Sequence, residues 1–259
     1  MFLRITTHRL LTLLRQWRQR VTDKLSNSVD TAVVLAGGPG IRLKPLTDRI
    51  PKALVEVAGK PLIQWVIEWL AFNNVRRVVL GVAHLKEEII KYLGDGSRFG
   101  AEIVYSVHSV EGGTGEGFRL AITRYVDDDY FFALNGDQIT DLTLKDLAEF
   151  HFRYNPIATI AMTNPHCPYG HIKVDENNSV IGFTEKPFCP HANCNTGVYM
   201  FDREILDFLP ERGDVEKTTF PILAANSNLK VYPFKGIFIT VNTHKDLADA
   251  EEKLKVISR

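Results

Sequence analysis

The chain has 259 residues, 45% hydrophobic and 24% charged, with Lys+Arg 31 balanced by Asp+Glu 31. That balance excludes an intrinsically disordered chain and leaves no global basic footprint for nucleic acid; no apolar run approaches the ~20 residues of a bilayer span. Three cysteines, Cys167, Cys189 and Cys194, are too few for a disulfide scaffold and predict a cytoplasmic setting.

The neutral total hides an asymmetry. Residues 1–28 carry Arg4, Arg9, Arg15, Arg18, Arg20 and Lys24 against Asp23, which leaves the rest of the chain mildly acidic. Within this leader Leu3, Leu10, Leu14, Trp17 and Val21 fall on one helical stripe. Arginine interrupts the apolar stretch, which argues against a secretory signal. Three readings stay open: packing on the body or on a second subunit, contact with an anionic membrane surface, and an organelle-targeting peptide or frayed terminus. The expected division is a helical extension at 1–28 and one domain at 29–259.

From Thr31 onward, short β-branched runs alternate with amphipathic stretches. Strands are predicted at Ala32–Leu35, Val75–Val82, Ala101–Val107 and Tyr130–Leu134, and helices at Pro61–Phe72, Lys86–Leu93 and Gly117–Tyr125. Repeated β-α-β units predict a mainly parallel, doubly wound sheet with right-handed crossovers. After Phe152 the texture turns strand-rich, with runs at Ala158–Met162, His171–Val174, Val180–Phe183, Val198–Phe201 and Lys230–Phe234, before a last helix at about His244–Val256.

Chemistry concentrates after the first strand, in Leu35-Ala36-Gly37-Gly38-Pro39-Gly40-Ile41-Arg42 with Pro51-Lys52 following. A glycine-rich turn at the carboxyl end of an α/β strand lets backbone N–H groups approach phosphate. The run is neither G-x-G-x-x-G nor a P-loop. Its arginine and lysine instead suit a triphosphate whose charge must be neutralised before displacement.

The segment LAGGPGIRLKPLTDRIPKALVEVAGKPL resembles the signature of the sugar-phosphate nucleotidyltransferases, and further matches follow in order: Gly113-Thr114-Gly115-Glu116-Gly117, Asn135-Gly136-Asp137, Tyr169-Gly170, Glu185-Lys186-Pro187 and Asn195-Thr196-Gly197-Val198-Tyr199. The resemblance implies a Rossmann-like three-layer α/β/α fold with a mainly parallel mixed sheet and a β-rich, sugar-binding second half. It implies transfer of a nucleotidyl group from an NTP to a sugar 1-phosphate, with release of pyrophosphate. On the same likeness Leu35, Ala36, Gly37, Gly38, Gly40, Gly113, Thr114 and Gly115 bind nucleotide. Arg42 holds the leaving phosphates, Lys52 neutralises charge at the α-phosphate, and Lys186 holds the incoming sugar phosphate. Gly170, Glu185, Asn195 and Thr196 line the sugar pocket, and Asp137 ligates Mg2+. Each residue also has a purely structural role open to it: a turn cap for Asp137, a solvated pair for Glu185 and Lys186, a bridge for Arg42, a tight turn for Gly170.

Two positions depart from the pattern. Ile41 stands where relatives carry threonine, and Thr240 stands where they carry a second metal-binding Asp, so the ion rests on Asp137 with substrate and water, or Asn242 contributes through a register shift. The alternative is a catalytically impaired nucleotide-sugar-binding regulator. The Gly113–Ala121 run is similar to that of mannose- and heptose-1-phosphate guanylyltransferases and related uridylyl enzymes, which ranks GTP ahead of UTP and CTP; Glu116 either accepts N–H bonds from guanine or serves the helix N-terminus. Finally, Cys189-x-His191-x-x-Cys194, with His166 or Cys167, offers zinc ligands, but the spacing matches no familiar zinc module and Pro168 and Pro190 read as ordinary loops.

Overall fold

The computed structural model of the chain describes residues 29–165, 167 and 169–257. The amphipathic leader, His166 and Pro168 lie outside the described residues. Seven strands form the central sheet: β1 (Thr31–Leu35), β4 (Arg77–Val82), β5 (Glu102–Val107), β6 (Tyr130–Asn135), β8 (Ala158–Thr163), β11 (Cys194–Asp202) and β12 (Leu229–Pro233), in the order β12-β8-β11-β6-β1-β4-β5. The pairs β1–β4, β1–β6, β4–β5 and β12–β8 are parallel, while β11 is antiparallel to both its neighbours. The sheet is therefore mixed and mainly parallel, as the sequence predicts.

Alternation along β1 shows how the layers arise. Val33 and Val34 are both fully buried, and they belong to opposite faces. Ala32 and Val34 pack under α1 (Leu62–Phe72), α2 (Lys86–Leu93) and α4 (Leu144–Tyr154), whose Ile63, Val66, Ile67, Leu70, Ile89, Leu93, Leu147 and Phe152 complete one core. Val33 faces α3 (Gly113–Tyr125) and α5 (Thr219–Ala225) across an aromatic cluster. There Phe118 meets Tyr199 and Phe201 edge-on, with ring centroids 6.3 and 5.8 Å apart, and Tyr199 stacks on Phe201 at 5.4 Å. Such pairs contribute beyond the area they bury, about 0.5–1.5 kcal/mol each.

Outside the central sheet lie three two-stranded pairs: β2 (Glu56–Val57) with β3 (Lys60–Pro61), β7 (Gln138–Thr140) with β13 (Phe238–Thr240), and β9 (His171–Val174) with β10 (Val180–Thr184). A third core beneath the glycine loop gathers Leu43, Val55, Val57, Leu62, Ile139, Ile239 and Val241 with Ala250 and Leu254 of α6 (His244–Ile257). This core is what holds the segment after Gly40 against the carboxyl ends of the strands. The β9–β10 arm, by contrast, has every residue of β9 exposed.

Several boundaries differ from the sequence expectation. α3 begins at Gly113 rather than Gly117, β11 runs from Cys194 rather than Val198, and α4, α5, β7 and β13 were not anticipated at all. No helix among the described residues is long and apolar enough to cross a membrane.

Candidate active site

β1 and β6 are parallel neighbours with Leu35 opposite Asn135, so the turns that leave them emerge side by side. The Gly136 N–H donates to the Leu35 carbonyl at 2.8 Å, and the Ala36 N–H to the Gly81 carbonyl of β4 at 2.8 Å. These bonds fix Ala36-Gly37-Gly38 beside Asn135-Gly136-Asp137 at the carboxyl edge, where open α/β sheets bind ligands. A cleft of ≈ 300 Å³ opens there, lined by Leu35, Ala36, Gly37, Gly38, Lys52, Asn135 and Asp137 from one side and by His108, Gly113, Thr114 and Asp214 from the other.

Lys52 opens a 3-10 turn, Lys52–Leu54, behind Pro51. Its ammonium donates to Asp137 Oδ2 at 2.5 Å and to Asn242 Oδ1 at 2.8 Å. The same amide oxygen accepts from Arg42 Nη2 at 3.1 Å. Four side chains separated by up to 200 residues thus meet at one point, two cationic donors and two oxygen acceptors. Gly40 makes this approach feasible: its φ of 62° suits glycine, and a Cβ there would stand 2.9 Å from Thr47 Cγ2 and 3.0 Å from Lys52 Cβ.

Asn242, rather than Thr240, is therefore the C-terminal side chain that meets Lys52. Thr240 lies in β13 opposite Gln138. A reciprocal capping arrangement orients Asn242: the Asn242 and Thr243 N–H groups donate to Asp246 Oδ2 at 3.0 and 2.9 Å, and the Asp246 N–H donates to Thr243 Oγ1 at 3.1 Å. Asp246→Ala is expected to cost about 1 kcal/mol of stability, a typical value for a lost cap, measured as a lower urea midpoint. A midpoint equal to that of the parent would mean the cap is idle.

The Gly113-Thr114-Gly115 turn is fastened to the segment before α5. Gly115 N–H donates to the Gly213 carbonyl at 2.8 Å, and Thr114 Oγ1 donates to Glu216 Oε2 at 3.0 Å while accepting from Val215 N–H at 2.9 Å. Gly113 and Thr114 line the cleft; Gly115 is buried, and a Cβ on it would stand 2.5 Å from Pro210 Cγ. Glu116 accepts from Ser109 Oγ at 2.8 Å within the first turn of α3 and is not among the lining residues, which matches the helix-terminus role of the two weighed. Asp214, at the rim, has its carboxyl held below the ordinary range, chiefly by the hydrogen bond from the Lys217 ammonium.

His108 escaped the sequence reading. Its ring lies under Gly37, where a Cβ would stand 2.7 Å from Nε2. Nδ1 is 3.0 Å from the Ser109 carbonyl, which can only accept, so Nδ1 is the donor in that contact. Nε2 is buried without a hydrogen-bond partner.

The remaining predicted residues form a second group. The Asn195-Thr196-Gly197 irregularity of β11 abuts the Asn135–Asp137 turn, since a Cβ on Gly197 would stand 2.8 Å from Asn135 Nδ2, and Gln138 Nε2 donates to the Gly197 carbonyl at 2.8 Å. Thr196 is buried, its hydroxyl donating to the Ala161 carbonyl at 2.7 Å, whereas Asn195 is exposed, its Nδ2 3.0 Å from the Tyr199 hydroxyl. Burial, first, and the nearby Glu216 raise the Tyr199 phenol above its ordinary value. Gly170 and Glu185 adjoin on the β9–β10 arm, where a Cβ on Gly170 would stand 3.0 Å from Glu185 Oε2. Lys186 follows, exposed, with φ of 43°, a left-handed conformation costly for a side-chain-bearing residue. None of these arm residues lines the ≈ 300 Å³ cleft.

Comparison with known proteins accords with this geometry. Residues 31–256 match the family model described as nucleotidyl transferase. The chain is 38% identical over 221 residues to a mannose-1-phosphate guanyltransferase of Yarrowia lipolytica, and 33% identical over 233 residues to a UTP–glucose-1-phosphate uridylyltransferase of Synechocystis. Each alignment covers 83% of this chain, which spans 61% and 60% of those relatives' lengths. Among solved structures, HddC from Yersinia pseudotuberculosis superposes with a TM-score of 0.69 at 25% identity, covering 86% of this chain and 99% of that one, and it has also been solved complexed with GMP-PN. The chain belongs to the nucleotidyl transferase family.

Proposed function

We propose that the chain transfers a nucleotidyl group from an NTP, GTP by preference, to a sugar 1-phosphate. The meeting of Lys52, Arg42, Asp137 and Asn242 beside an open glycine turn carries this reading. A phosphate oxygen of the sugar phosphate attacks the α-phosphorus; that P–O bond forms while the bond to the β,γ-pyrophosphate breaks, and the electron pair leaves with pyrophosphate. The nucleophile is already an anion at neutral pH, so no general base is required. The protein's task is to align two anions and stabilise the departing charge. Lys52 faces the α-phosphate, Arg42 the leaving group, and Lys186 draws the sugar phosphate in from the arm. At Gly38 a Cβ would meet no protein atom within 4 Å, so packing does not demand glycine there, whereas a phosphate approaching the backbone would.

The donor set also fits Mg2+. A carboxylate and an amide oxygen both lie within 2.8 Å of a single cationic nitrogen, and hard oxygen donors with one or two carboxylates are what this ion takes. Asp137 with Asn242 would hold it, and it would supply further charge neutralisation across the polyphosphate.

The His108 ring lines the cleft, and a turn of its side chain would offer the unpartnered Nε2 to the edge of a nucleobase. His108→Ala is expected to raise KM for the NTP about tenfold with kcat little changed, the effect of one lost hydrogen bond at the upper end of its usual range. Unchanged steady-state constants would remove it from the binding site. The guanine preference is supported by the guanyltransferase relatives and by the GMP-PN complex of the Yersinia protein; the Synechocystis relative supports UTP as the second reading. A panel of GTP, UTP and CTP against mannose, glucose and heptose 1-phosphates, scored by pyrophosphate release, tests both. Nucleotide binding with no turnover in any combination would favour the regulatory alternative.

A further inference from the structure

The arm that carries Gly170, Glu185 and Lys186 is rooted in a cluster the reaction does not use. Cys167, His171 and Cys189 each offer one ligand atom, and these atoms lie within 4.8 Å of one another. The trio differs from the contiguous Cys189-x-His191-x-x-Cys194 pattern visible in the sequence, because strand pairing assembles it. The Cys167 N–H donates to the Pro187 carbonyl at 2.8 Å and the Cys189 N–H to the Pro165 carbonyl at 3.0 Å, so two backbone bonds clip the segments together and set both thiols side by side. His171 opens β9 and is held opposite Thr184 by the β9–β10 ladder. All three cysteines are free thiols.

We propose that Cys167, His171 and Cys189 hold a zinc ion that bolts the β9–β10 arm to the body of the fold. Two thiolates and an imidazole are soft-to-borderline donors, which select zinc over Mg2+. The all-oxygen pair at Asp137 and Asn242 has the opposite preference, so the two sites do not compete for one ion. At tetrahedral geometry with Zn–S of about 2.3 Å, ligand atoms stand about 3.8 Å apart, a contraction of about 1 Å that the exposed His171 side chain can supply. The thiols are half-buried and the imidazole is exposed, leaving a route for the ion. Cys194 opens β11 opposite Thr163 and lines one cavity with Pro165 and Phe188, the neighbours of the clipped segments, so it is the thiol that would complete the set as fourth ligand. Bound zinc would tie the exit of β8, the start of β9 and the approach to β11 at one point. That restrains an arm whose two strands have no buried residue.

Metal content tests this without reference to turnover, so the outcome is independent of the nucleotidyl-transfer reading. The full chain, purified from zinc-supplemented cells without chelator, is expected to retain stoichiometric zinc through gel filtration. Titration of the metal-stripped chain with Co2+ is expected to give tetrahedral d–d bands and a thiolate-to-cobalt charge-transfer band. C167S and C189S are each expected to abolish both signals. H171A, which alters an exposed side chain, is expected to lower zinc retention severalfold and keeps the test decisive if a cysteine variant fails to fold. Sub-stoichiometric zinc together with Co2+ spectra lacking the charge-transfer band would overturn the proposal, and so would a Cys167–Cys189 disulfide found by non-reducing mass spectrometry.

Discussion

Lys52→Ala is expected to lower kcat for pyrophosphate release by about 10²–10³-fold, the usual cost of deleting one preorganised group that stabilises charge developing in a transition state. Two effects compete in this variant, and the geometry decides between them. Loss of the ammonium leaves Asp137 without the partner it holds at 2.5 Å, which would destabilise a deeply buried carboxylate. The Asp137 side chain is 28% exposed, however, and solvent screening keeps the cost of such a loss small. Asn242 Oδ1 retains a donor, because Arg42 Nη2 reaches it at 3.1 Å. The fold should therefore survive with a thermal midpoint close to that of the parent, and the deficit should appear in turnover. A variant that releases pyrophosphate at the parental rate would place Lys52 outside the reaction and remove the main support for the proposed chemistry.

Much of this arrangement is legible in the sequence where local pattern and tertiary context agree. β1, β4 and β6 are apolar on both faces because each lies between helix layers, so their runs stand out without reference to the rest of the chain. α4 does not stand out in the sequence, although Leu144, Leu147, Ala148, His151 and Phe152 recur at helical spacing. Its start carries no local capping signal: Thr143 makes no side-chain cap, and the Leu144 N–H is taken instead by Asn73 Oδ1 at 2.9 Å, from a residue 71 positions away. α3 starts four residues before its sequence pattern suggests, for a related reason. Gly113–Gly117 reads as a turn by composition, yet the helix already runs through Gly115, where Pro210 and the Gly213 carbonyl leave no room for a side chain and so require glycine inside a helix. β7 and β13, three residues each, are too short for any period and exist because they pair with one another.

The same distinction separates the two halves of the site. The glycine loop, Lys52 and Asp137 are found from short motifs, because phosphate chemistry fixes their spacing along the chain. His108 is not, because packing alone delivers it beneath Gly37, and Asn242 enters from the motif only as the alternative to Thr240, since its orientation is set by the Thr243–Asp246 cap. The motif by itself leaves Thr240, two residues away in β13, and Asn242 both open. Only the meeting of Arg42, Lys52 and Asn242 identifies the side chain that shares the site with Asp137.

Asp137→Asn separates the structural role open to this residue from the chemical one. Asparagine caps turns and helix starts about as well as aspartate does, so if Asp137 only closes the turn after β6, the variant should keep both its stability and its turnover. If Asp137 holds Mg2+, the substitution keeps size and one oxygen donor but removes the charge that a hard divalent ion requires. Turnover at saturating substrate should then fall at least about 10²-fold, in line with the loss of one electrostatic element, and the Mg2+ concentration for half-maximal rate should rise. Asn242→Ala is the comparison that calibrates the result. It deletes a neutral oxygen whose neighbours Arg42 and Lys52 remain, so its effect on the Mg2+ dependence should be the smaller of the two. A D137N enzyme with the parental Mg2+ dependence would mean that the carboxylate serves only to hold Lys52, and the ion would then have to be bound by substrate phosphates alone.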